Sequence, residues 1–247
     1  MVPSWTETLL NAGVEVVGRT RFCIHPTSVR GVPRVGGTKD WNLAQVLGLK
    51  ADLLILDEQE NPKWMASRTA VPVWASHVGG IEHMPGQLAE LADLLENPNL
   101  MSLARRWELV SACPPVHGEL PGVLEWGRRA EGPITSVLYL TWRDPWMSVG
   151  PQTFIGSVLH KVGYPVYPFE ERYPEVNLAD FDPATTLLLF SSEPYPFMRK
   201  REGIAELGFP YAFVDGECFS WFGVRALEFL EGVLSLGKAE PEITHSP

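Results

Sequence analysis

Two residues stand out as chemistry in waiting: Cys23 and His25, in the stretch "FCIHP". Side chains two apart on an extended loop point the same way, so a thiolate and an imidazole there can share a soft or borderline metal. Glu58 or Glu193 can supply a third ligand, and nothing in the spacing chooses between them. The same residues also read more plainly, Cys23 as a small buried hydrophobe and His25 as the cap of a turn before Pro26. A thiol nucleophile is a further reading, although a Cys-x-His pair on one loop rarely lets the imidazole reach the sulfur. The other histidines show no His-Glu-x-x-His spacing.

Further polar and aromatic residues fall just beyond apolar runs. In the first half these are Trp5, Phe22, Lys39 in "GGTK", Glu58, Glu60 and Asn61. In the second half they are Trp142, Arg143, Asp144 and Trp146 of "WRDPW", then Ser192, Glu193 and Tyr195, then Asp215, Glu217, Phe219 and Trp221. Aromatic planes beside carboxylates and one Arg suit a flat, polar-edged ligand or a chelated metal. Arg143 and Asp144 equally suit an ion pair closing the mouth of a cleft, and Trp142 and Trp146 equally suit a core. "GVPRVGGTK" lacks the Gly-Lys-Ser/Thr order of a phosphate-binding loop, and neither a nucleophile elbow nor a Gly-x-Gly-x-x-Gly fingerprint occurs.

These residues need strands to hold them. Short β-branched runs predict strands at Val14–Val17, Leu53–Leu56, Val71–Ala75, Val137–Thr141, Tyr164–Tyr167, Leu187–Phe190 and Tyr211–Val214. Helical patterns lie between them, the signature of parallel α/β units. "LLIL" and "LLLF" imply burial on both sheet faces. Helices are expected at Ser4–Asn11 with a Ser4/Glu7 capping box, Asn42–Leu49, Gln87–Leu95, Asn99–Val110, Gln152–Val162, Pro196–Leu207 and Trp221–Leu234.

One pattern occurs twice. "NLAQVLGLKADLLIL" leads into "DEQENP", and about 135 residues later "NLADFDPATTLLLF" leads into "SSEPYP". Each begins with Asn before a short helix, runs into a buried strand, and opens into a polar loop, which implies two similar domains. Ligands of open parallel sheets sit outside the carboxyl ends of the strands, so the loops after Leu56 and Phe190 are expected to face a shared cleft. The expected division is an N-terminal lobe over 1–84, a helical connection over 85–133 without strand signals, and a C-terminal lobe over 134–247.

The 247 residues carry a formal charge of −10 and are 45% hydrophobic, enough for one large core or two modest ones. No basic stripe suggests nucleic acid; the longest basic cluster, "MRKRE" at Met198–Glu202, reads as a solvated helix face. No stretch approaches a membrane span, and no secretory signal is visible, so the chain as given is expected in the cytoplasm, or in the periplasm if trimmed. Three widely spaced cysteines read as reduced thiols.

"VPSWTETLLNAGVEVVGRTRFCIHP", "RVGGTKDWNLAQVLGLKADLLILDEQENP", "WRDPWMSVGPQTFIGSVLHKVG", "RYPEVNL", "LLLFSSEPYPF" and "DGECFSWFGVRALE", in that order, resemble the helical-backbone metal-receptor family. That family is similar to the substrate-binding proteins of ABC transporters for vitamin B12, haem and iron–siderophore complexes. The resemblance implies two Rossmann-like domains with mainly parallel sheets, a helical connection, and a corrinoid, haem, siderophore-bound iron or divalent metal held between lobes. It also implies an ABC permease as partner, which in transporter-type relatives docks through a surface Glu on each lobe. Glu58 and Glu193 hold equivalent places in the two repeats, yet they follow strands directly and are read first as ligand or inter-lobe contacts. The pattern departs from the family where a strand would precede "VPSWTE" and where "ACPPVHGELPG" interrupts the connection. A cytoplasmic enzyme or cofactor carrier using Cys23, His25 and nearby carboxylates is the alternative, and a ligand-free interaction module a third.

Overall fold

The computed structural model describes residues 1–236. They divide into two compact units, one of Met1–Ser111 with Trp221–Leu227, the other of Ala112–Ser220 with the described residues from Glu228. The first contains α1 (Pro3–Asn11), α2 (Leu43–Gly48), β1 (Leu54–Asp57), α3 (Trp64–Ser67), β2 (Val73–Ser76), α4 (Met84–Leu94) and nearly all of α5 (Pro98–Ala112). The second contains β3 (Val123–Arg128), β4 (Ser136–Leu140), α6 (Phe154–Lys161), β5 (Thr186–Ser191), β6 (Tyr211–Val214) and α7 (Gly216–Ser220). The last helix, α8 (Val224–Leu236), begins in the first unit and ends in the second.

In the first unit β1 and β2 pair in parallel, Leu54 opposite Val73 through Asp57 opposite Ser76. Leu54, Leu56, Val46, Val35, Trp41 and Met65 close over them as a core. Asn42 caps α2: it accepts a hydrogen bond from the Gln45 N–H, satisfying one of the first-turn donors. Asn177 does the same for Ala179, but only a 3-10 turn, Leu178–Asp180, follows it. Ser4 does not cap α1. It lies inside the helix, and Glu7 instead forms a two-pronged ion pair with Arg225, at 3.0 Å from Nε to Oε2 and a shorter contact from Nη2 to Oε1.

The second unit holds a four-stranded sheet in the order β3-β6-β5-β4. β4, β5 and β6 are parallel, and β5 is buried along its whole length, as "LLLF" requires. β3 pairs antiparallel with β6 inside the region expected to be free of strands. It is an edge strand with only Val123 and Trp126 partly buried, so it carries no apolar run to announce it. Three other expectations fail. Val14–Val17 joins no ladder, and Tyr164–Tyr167 contributes a single bridge, Val166 to Val137. Pro196–Leu207 is not a helix: tight turns of the type Arg199 N–H to Pro196 carbonyl, and Gly203 at φ +75°, break it into pieces.

Candidate functional site

At the carboxyl end of β1 and β2 a buried chain of hydrogen bonds fixes the loops. The Trp5 indole N–H donates to Ser76 Oγ at 2.7 Å, and Ser76 Oγ lies 2.6 Å from Asp57 Oδ2 and donates to it. Asp57 Oδ1 accepts the N–H groups of Gln59 and Glu60, while Asn61 Oδ1 accepts that of Asp57. Asn61 Nδ2 in turn holds the Thr38 carbonyl at 2.7 Å, tying this loop to the one carrying Lys39. Asp57 is 2% exposed, and its carboxyl oxygens take three hydrogen bonds from its own loop and from Ser76.

This network places three of the expected site residues in different roles. Trp5 and Asn61 are buried supports. Glu58 is exposed, and its Oε2 lies 3.1 Å from His77 Nδ1, with the His83 ring 5.8 Å beyond. Glu60 and Lys39 are also exposed.

The loop with Cys23 and His25 is organised by Arg19. Its guanidinium, largely buried, donates to the carbonyls of Val32, Thr20 and Cys23, at 3.0, 3.3 and 3.1 Å. Cys23 is fully buried, its Sγ within 3.3 Å of Thr6 Oγ1 and 3.2 Å of Thr20 Oγ1. His25 turns the other way, against Trp221 at 5.2 Å. Sulfur and imidazole are thus pulled apart by different neighbours, the one by threonine hydroxyls and the other by an indole. Among the described residues no three His, Cys, Asp or Glu side chains group to hold a metal ion. The loop shows solvent its apolar members: Phe22 is 47% and Ile24 52% exposed.

In the second unit the loops after β4, β5 and β6 gather most of the remaining expected residues. Tyr139, buried on β4, donates to Ser191 Oγ at 3.0 Å at the end of β5, and burial pushes its phenol well above the ordinary range. Ser192 Oγ accepts the Gly216 N–H, Asp215 Oδ1 accepts the Glu217 N–H, and Ser220 Oγ donates to Glu193 Oε1 at 2.9 Å. Gly216 permits this closeness, since a Cβ there would stand 2.4 Å from Ser191 Oγ. Phe219 is wholly buried against Tyr139 and Phe229.

The tryptophans of "WRDPW" divide. Trp146 stacks on Phe197, nearly parallel at 12°, and Arg143 lies 5.2 Å above it. Trp142 is 44% exposed and meets the ring of Tyr195 edge-on at 5.4 Å. Arg143 donates to the Glu202 carbonyl at 3.0 Å rather than to Asp144, which is exposed. Lys200, missed in the sequence because "MRKRE" read as a helix face, lies 5.0 Å from the centre of the Tyr195 ring. The arrangement is chemically that of a binding surface. Rigid aromatic faces and cations stand on loops held by buried hydrogen bonds.

The two cavities of note lie elsewhere. One of about 470 Å³ in the first unit runs along Val14–Gly18 and Lys50–Ile55, and of the expected site residues only Trp5 lines it. The other, about 380 Å³, lies in the second unit beside Trp126 and Tyr164. Neither contains the carboxyl-end loops.

No family model and no curated protein sequence matches the chain. Solved structures do. The periplasmic vitamin B12-binding protein BtuF of Vibrio cholerae superposes with a TM-score of 0.68 at 16% identity, over 97% of this chain and 96% of that one. IsdE of S. aureus, complexed with heme, gives 0.70 at 13% identity over 96% and 95%. A possible iron-binding, periplasmic solute-binding protein from Staphylococcus epidermidis gives 0.65 at 17% identity over 97% and 96%. At such identities the likeness speaks to architecture, and it extends over nearly the whole chain: this protein has the mixed α/β fold with parallel sheets of those structures.

Proposed function

We propose that the protein is a solute-binding protein for a metal complex of the corrinoid, haem or iron–siderophore class, held by the loops at the carboxyl ends of its parallel strands. The observation that carries this reading is the sharing of fold, end to end, with proteins described as binding B12, heme and iron. Exposed Trp142 on the loop after β4 supports it, since it offers flat apolar contact where function of this fold class is sited. The lack of a three-donor cluster among the described residues supports a chelated metal that brings its own ligands over a bare ion. Of the expected site residues, Phe22 and Lys39 are exposed in the first unit and Trp142 and Asp144 in the second, with buried neighbours positioning each set.

Binding rather than catalysis is the role, because Cys23 is sealed from solvent and its hydrogen bonds run to threonines, not to His25. An ABC permease is the natural acceptor of the ligand, and Glu58, exposed on its loop, is the better placed of the two repeat glutamates to dock with one. Such a protein works outside the cytoplasm. No helix among the described residues is long and apolar enough to cross a membrane. The test is a tryptophan-fluorescence titration with cyanocobalamin, haemin and ferric siderophores. Saturable quenching at one ligand per chain supports the proposal, and no response to any of them removes it.

A further inference from the structure

We infer that the loops after β4 and β5 form a cationic aromatic shelf that selects ligands bearing acidic substituents, with Arg143 and Lys200 selecting and Trp142 and Tyr195 carrying the flat part. The inference rests on the solute-binding reading and narrows its ligand. Its origin is the basic cluster Arg199–Arg201, which folds back on itself: the N–H groups of Arg199 and Lys200 both bond to the Pro196 carbonyl, at 3.0 and 3.1 Å.

That turn delivers Lys200 Nζ to 5.0 Å from the Tyr195 ring, and Tyr195 abuts exposed Trp142. From the β4 side, Arg143 reaches the same turn through the Glu202 carbonyl. Arg201 is already engaged, clamped by Glu125 at 2.8 and 2.9 Å. Arg143, Arg199 and Lys200 are not: among the described residues none has a carboxylate within ion-pair distance, although Asp144 and Glu202 adjoin them in sequence. Arg143 commits one of its five N–H donors to Glu202, leaving a planar fork for a carboxylate. The chain carries −10 overall, so its general field repels anions. A local set of unpaired cations beside an aromatic face is the exception that draws an acidic ligand in.

The test compares protoporphyrin IX with its dimethyl ester, which removes both acids and keeps the plane, and with cyanocobalamin. Two exposed charge contacts predict that the free acid binds about 5- to 10-fold more tightly than the ester. The double variant Arg143→Gln, Lys200→Gln should bring the acid down to the affinity of the ester without changing the ester. Arg143→Lys with Lys200→Arg should keep the gap. Raising salt from 0.05 to 0.5 M should weaken the acid alone, by screening. Lys200→Gln by itself touches no core residue, so it reports even if the double variant folds poorly. Equal binding of acid and ester by the unaltered protein, or a gap that survives in the double variant, overturns the selection. Tight cobalamin binding with neither porphyrin bound also overturns it while leaving the solute-binding reading intact. If none of the three, nor any ferric siderophore, binds, both fall together.

Discussion

Ser76→Ala is the sharpest perturbation of the structure that holds the first unit's loops. Ser76 Oγ accepts the Trp5 indole N–H and donates to Asp57 Oδ2, and all three residues are buried. Alanine fills the space without a cavity but orphans two groups at once. An unsatisfied buried N–H costs about 1–3 kcal/mol, and a buried carboxylate losing one of its three hydrogen-bond donors costs at least as much again. The expected loss is therefore about 2–6 kcal/mol in urea or guanidinium unfolding, with the melting temperature falling on the order of 10 °C. Trp5→Phe removes the indole N–H instead, and the double variant should cost less than the sum of the two singles by about 1 kcal/mol, because they share that bond. Additive costs, or a Ser76→Ala change below about 0.5 kcal/mol, would refute the claim that this chain of hydrogen bonds positions the Asp57–Asn61 loop.

The two tryptophans of "WRDPW" should separate stability from binding. Trp146→Ala, which strips a ring stacked on Phe197, should cost about 2–4 kcal/mol, whereas Trp142→Ala should leave the unfolding curve nearly unchanged and abolish most ligand-induced quenching. Gly216→Ala forces a Cβ to 2.4 Å from Ser191 Oγ and 2.8 Å from Glu193 Cγ, so the β5 loop must shift; ligand affinity should drop about 10-fold or more, as a titration will show. Arg201, hydrogen-bonded to Glu125, holds that carboxyl below the usual carboxylate range. The pair's contribution is thus present above the ordinary glutamate pKa and lost as pH falls through the depressed value. Carboxyl NMR should show Glu125 returning to the ordinary range in Arg201→Gln.

The parallel strands were legible because a strand buried on both faces must be apolar throughout, and "LLIL" and "LLLF" are. The helix start at Asn42 was legible, whereas the matching Asn177 opens only a 3-10 turn. β3 was not, since an edge strand half in solvent can carry Glu125, Gly127 and Arg128. The division of labour at the site was also hidden. Nothing in the spacing of Cys23 and His25 says that Thr6, 17 residues away, draws the thiol inward, or that Trp221 draws the ring elsewhere. Spacing reveals what one segment can present, while hydrogen bonds between distant segments decide what it does present. Lys200 escaped for the same reason, because a turn at Pro196 replaced the helix that composition suggested.

The central claim, a binding protein for a metal complex, is tested most directly by native mass spectrometry with an absorbance scan, on protein as purified and after incubation with cyanocobalamin, haemin, a ferric siderophore and bare divalent metals. A mass shift of one complex per chain is expected, weakened in Trp142→Ala and absent with the metals alone. A shift with a bare metal, or none with any complex, would contradict it.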